Sequence, residues 1–117
     1  MITFKERKTV FFDVDDTLLE WKQCHKNDKR AVKIENNGHI FYKKAISPNI
    51  EALKSHFLAG HLVVVWSAGG ATWAETVIRA LNLQKHVNVI INKPDFYYDD
   101  KDASHWLPCD RQFKEEV

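Results

Sequence analysis

One stretch constrains this chain more than any other: Val10-Phe11-Phe12-Asp13-Val14-Asp15-Asp16-Thr17-Leu18. Val10 to Phe12 reads as a buried strand. It ends abruptly in the carboxylates of Asp13, Asp15 and Asp16. Like charges so close together disfavour joint ionisation. A divalent cation would relieve the repulsion, and hard oxygen donors suit Mg²⁺. Open α/β sheets also place their ligands at the carboxyl ends of parallel strands. Asp is common in ordinary acidic turns. The apolar strand before this one, and Thr17-Leu18-Leu19 after it, make the stretch more specific than a turn.

The chain has 117 residues, a length that favours one domain over 1–117. Its net charge of +1 provides no strong field toward nucleic acid or membrane. No apolar run approaches the roughly 20 residues of a membrane span. The amino-terminal Met-Ile-Thr-Phe-Lys-Glu-Arg-Lys is too charged for a secretory signal. Cys24 and Cys109 lie far apart in sequence and read as two free thiols of a cytoplasmic protein. The six His residues show no metal-binding pattern. His105 and Cys109 are four apart, but Pro108 lies between them and no second pair accompanies them.

Short strands alternate with helices along the chain, the pattern of a parallel α/β sheet. The strands are expected over about 9–14, 61–66, 87–91 and 96–98. Ser47-Pro48 is expected to open a helix with Ser as its cap, and Gly60 to end it. A second helix is expected from Thr72, with Glu75 completing a capping box. Its stripe of Trp73, Val77, Ile78 and Leu81 reads as core with no chemical role. Pro108 interrupts any long helix in the tail after Ala103.

Between the first two strands, 31–44 reads as a β-hairpin around Asn36-Asn37-Gly38. A three-residue loop with Gly in the left-handed position fits that composition. In that register Val32, Ile34, Ile40 and Tyr42 share one face. A two-stranded ribbon is marginal by itself. The hairpin is therefore expected to shape the site as a flap and to contribute little to the fold. Trp21, just after the acidic stretch, either packs a substrate ring or anchors the flap. Cys24 and His25 read as solvated loop residues near the acidic cluster.

The acidic stretch resembles motif I of the haloacid dehalogenase-like superfamily, an apolar strand followed by Asp-x-Asp-x-Thr. Asp13, Asp15 and Thr17 match it in full. The resemblance implies that Asp13 attacks phosphorus and that Asp15 is the general acid and base. Ser67, in Val-Val-Val-Trp-Ser-Ala-Gly-Gly, is similar to motif II, a Ser or Thr that holds phosphoryl oxygens. Thr17, Ala68 and Gly69 join Ser67 as expected substrate-binding residues. Lys93, in Asn-Lys-Pro-Asp, is similar to motif III, a Lys that neutralises nucleophile and phosphate. Asp99 and Asp100 resemble motif IV, the acidic pair that closes a fourth strand. With Asp13 and Asp15 they would form the Mg²⁺ site, and Asp102 is a weaker outer-shell candidate.

The four motifs occur in the superfamily's order. The resemblance implies a small, capless member with a three-layer Rossmann-like α/β fold. The motif I strand would be central, with the hairpin flap directly after it. The implied activity is Mg²⁺-dependent hydrolysis of a phosphomonoester through an aspartyl-phosphate. Transfer to another hydroxyl is an alternative, as is a non-catalytic phosphate- or Mg²⁺-binding domain. A pure binder has no need of the acid at position 15. An open site suits a small or macromolecular phosphoester, nucleic acid included, or completion by a second subunit.

Overall fold

The computed structural model describes residues 7–107. Cys109 and Pro108 therefore lie outside the described residues. The element order is β1 (Thr9–Asp13), β2 (Leu19–Gln23), β3 (Ala31–Asn36), β4 (His39–Ala45), α1 (Ser47–Leu58), β5 (Leu62–Ser67), α2 (Ala71–Ala80) and β6 (Val89–Asn92). No helix among the described residues is long and apolar enough to cross a membrane.

The described residues form an α/β domain with two three-stranded sheets. The first sheet is parallel, in the order β1-β5-β6. Its strand β5, Leu-Val-Val-Val-Trp-Ser, is the continuous apolar run expected of a central parallel strand. β1 lies at the edge, not at the centre, because no described segment pairs with its other side. The fourth strand expected at 96–98 does not form, and Phe96, Tyr97 and Tyr98 are exposed in irregular chain. An apolar triplet without a neighbouring strand or a covered face has nothing to pair with and nothing to bury against.

Both helices cover one face of this sheet. Phe12, Val63 and Val65 point into the core with Leu53 of α1 and Ala74, Val77 and Ile78 of α2. The alternate residues point the other way, as strand geometry requires. On that second face Phe11 stacks against Trp66, with ring centroids 4.2 Å apart. Val89 and Ile91 are exposed beside them.

The second sheet is antiparallel, in the order β2-β4-β3. The expected hairpin is present, but its loop is a residue shorter. Asn36 pairs with His39, leaving Asn37 (φ 52°) and Gly38 (φ 79°) as a two-residue turn with both φ positive. Asn-Gly favours that turn type. The shorter loop shifts the register and reverses every side chain of β4. Ile34 now faces Phe41, and Val32 faces Lys43. Ile40, expected on the apolar face, is exposed, while Lys43 is buried.

The hairpin is also no free flap. β2 pairs with β4 to extend it, β3 packs on α2, and Ile34 is part of the main core. The expectation that this segment contributes little to the fold is corrected accordingly.

The helix starts differ too. α1 is preceded by Ile46, and α2 by Gly70 with φ 105°. The first amide of α2, Ala71 N–H, donates to the Asn92 side chain at the end of β6 (2.6 Å). A cap supplied by another strand replaces the expected Thr72–Glu75 box. Glu75 instead pairs with Arg79 (3.1 Å).

Candidate functional site

The three parallel strands end together, and each carries one of the expected residues at its carboxyl end. Asp13 is the last residue of β1, Ser67 the last of β5, and Lys93 follows β6. The Lys93 ammonium lies 3.9 Å from Asp13 Oδ1. Lys93 N–H donates to Ser67 O (2.9 Å), tying the ends of β6 and β5 together. Both charged side chains are partly open to water, so the ion pair has little weight in stability. Its weight is in placing a cation beside a carboxylate.

The chain turns sharply after Asp13. Leu18 N–H and Thr17 N–H both donate to Val14 O, at 2.9 and 3.2 Å. Asp16 adopts φ 62° within this turn, a conformation Asp tolerates better than most residues. The turn sends Val14 and Leu18 into the core and leaves Asp13 and Asp15 at the surface of the site. The buried Asn49 of α1 donates its side-chain amide to Thr17 O (2.9 Å) and pins the far end of the turn. Thr17 thus shapes the loop through its backbone.

Asp15 is held by a residue that periodicity assigned to the core. The indole N–H of Trp73 donates to Asp15 Oδ1 (3.2 Å). Helical spacing places Trp73 on the inner stripe of α2, but does not reveal that its ring edge reaches the acidic loop. Burial pushes the Asp15 carboxyl above its ordinary range. The Trp73 hydrogen bond and the Lys43 charge oppose that rise, while Asp13 and Asp16 add to it.

Ser67 is buried, and its Oγ accepts the Gly69 N–H (3.0 Å). A Cβ at Gly69 would meet Trp73 Cδ1 at 3.2 Å and Ser67 Oγ at 3.3 Å. Glycine therefore lets this loop sit against both side chains. Ala68, Gly69, Gly70, Asn92 and Lys93 line a cleft of about 250 Å³ at the start of α2. The amino terminus of the helix adds partial positive charge there.

Asp99 and Asp100 are not part of this assembly. They are exposed in the irregular segment after β6, and Asp99 Oδ1 accepts the Lys101 N–H (3.0 Å). Asp102 is likewise exposed in irregular chain. Among the described residues, no three His, Cys, Asp or Glu side chains are grouped to hold a metal ion. As placed, Asp99 and Asp100 do not complete a carboxylate group with Asp13 and Asp15. Calorimetric titration of Mg²⁺ into the wild type and Asp100→Ala tests this placement. The geometry predicts equal affinities, whereas a weakened variant would bring Asp100 to Asp13.

No protein-family model and no curated protein matches this chain.

Proposed function

We propose that the protein is a phosphomonoester phosphatase that works through an aspartyl-phosphate on Asp13. The observation that supports this best is the Asp13–Lys93 pair beside Ser67. It puts a carboxylate, a cation and a hydroxyl at the shared carboxyl end of three parallel strands.

In the first step an Asp13 oxygen bonds to phosphorus and the ester P–O bond breaks. Asp15 gives its proton to the departing oxygen. In the second step water attacks the same phosphorus, Asp15 takes the water proton, and the Asp13–phosphorus bond breaks. Lys93 offsets phosphoryl charge, while Ser67 and the α2 amino terminus orient the phosphoryl oxygens. A carboxyl raised by burial holds a proton further toward neutral pH, as an acid in the first step requires.

A three-layer Rossmann-like architecture belongs to the same proposal. The parallel sheet and its helices supply two layers, and the Phe11–Trp66 face is where a third would lie.

Asp15→Asn separates the two half-reactions. An activated aryl phosphate needs little help from an acid, so the variant is expected to acquire one phosphoryl group. Without a base it should then release it at least about a hundredfold more slowly than wild type. Rapid quench and intact-mass measurement would detect the adduct. Rapid discharge in the variant would remove Asp15 from its role.

A further inference from the structure

Trp21 is a large apolar side chain that the core does not use. It is 61% exposed, while its backbone is held at two points and its ring touches one cation. Its backbone N–H donates to Asp16 Oδ1 (2.8 Å), in the same turn that carries Asp15. Its backbone carbonyl accepts from the Lys43 ammonium. That ammonium also stands over the indole, 4.4 Å from the ring centroid. Lys43 is itself only 5% exposed, so its long side chain is fixed by the sheet around it.

An exposed indole usually costs side-chain entropy to immobilise on binding. Here the backbone of Trp21 is fixed and the buried Lys43 already packs one face of the ring. One ring face carries the Lys43 cation, and the exposed remainder offers a flat apolar surface. The Asp16 contact sets this surface beside the acidic turn, and the charge of Lys43 is felt at Asp15.

We infer that Trp21 is a stacking platform for a nucleobase, and that the phosphomonoester turned over at Asp13 belongs to a nucleotide. This inference rests on the phosphatase reading for the reaction, but not for the stacking. Every base has a flat π-face, so the platform selects nucleotides as a class without reading sequence. The same chemistry is offered by a free mononucleotide and by the phosphorylated end of an oligonucleotide.

Trp21→Leu keeps an apolar side chain and removes the flat ring. Turnover of adenosine 5′-monophosphate and of ribose 5-phosphate is compared in wild type and variant. The preference for the nucleotide, as a ratio of kcat/KM values, is expected to fall about tenfold or more, the scale of one stacked base. Equal losses on both esters would show that Trp21 supports the acidic turn instead, and would overturn the platform. So would an unchanged preference.

A 5′-phosphorylated oligonucleotide assayed beside the mononucleotide distinguishes the two sources. Calorimetric titration with adenosine, which carries no phosphate, tests stacking apart from chemistry. Binding by wild type that is lost in the variant supports the platform even if no ester is hydrolysed, and wild type that fails to bind adenosine overturns it. The phosphatase reading fails separately, if neither ester is turned over by folded wild type.

Discussion

Asp13→Asn is expected to lower turnover of any phosphomonoester by roughly a thousandfold or more, because the attacking group is lost outright. The amide keeps the size of the carboxylate, so the end of β1 keeps its packing. It removes the partner of Lys93, but that pair is partly solvated and contributes no more than about 1 kcal/mol. The melting temperature should therefore move by only a few degrees. The two measurements belong together: turnover on a small aryl phosphate, and a thermal melt at the same pH. A folded, inactive variant is the expected result. A folded variant with wild-type turnover would exclude a covalent mechanism at Asp13. An unfolded one would show that Asp13 holds the strand end in place, and Lys93→Met would then serve as the probe of the same constellation.

Ile34→Ala should have a large effect on stability. Ile34 is fully buried in the main core, although it lies on the hairpin. Val32 and Phe41 pack against the same cluster. Truncation removes buried methyl and methylene groups and leaves a cavity that the β3–α2 contact cannot fully close. The expected loss is about 2–5 kcal/mol. That is a large share of the roughly 5–15 kcal/mol that stabilises a typical domain. Chemical denaturation followed by circular dichroism would measure it. A loss below about 0.5 kcal/mol, the scale of a surface substitution, would return the hairpin to the status of an independent flap. Ile40→Ala on the opposite face is the control, since that side chain is exposed. A cost at Ile40 comparable to that at Ile34 would mean that both lie on the buried face, the register that composition suggested.

The parallel sheet was legible because its strands are unbroken apolar runs, and burial on one face leaves little choice of where they sit. The site residues at the strand ends were legible for a related reason. Asp13 and Ser67 each close such a run, and Lys93 comes one residue after the close of a third. The β4 register was not legible, because Asn36-Asn37-Gly38 is compatible with two loop lengths, and one residue of loop decides which face is buried. β2 was missed because only Leu19 of Leu-Glu-Trp-Lys-Gln is buried, and the strand exists by pairing with β4. The helix cap from Asn92 and the Trp73 contact with Asp15 join residues distant in sequence, so no local pattern announces them. Phe96 to Tyr98 misled in the opposite direction. The triplet has the composition of a strand but no partner among the described residues.

The order β1-β5-β6 also sets how the site breathes. Among the described residues, the central strand β5 has a paired neighbour on each side, whereas β1 and β6 each have one. Amides of β5 should consequently exchange with deuterium only when the whole domain opens, while those of β1 and β6 exchange through smaller local openings. Asp13 and Lys93 lie at the ends of the two outer strands, and Ser67 lies at the end of the inner one. The groups that face each other across the site are therefore carried by the two strands freest to part. An oxyanion that bridges them should slow deuterium uptake in β1 and β6 together and leave β5 almost as it was.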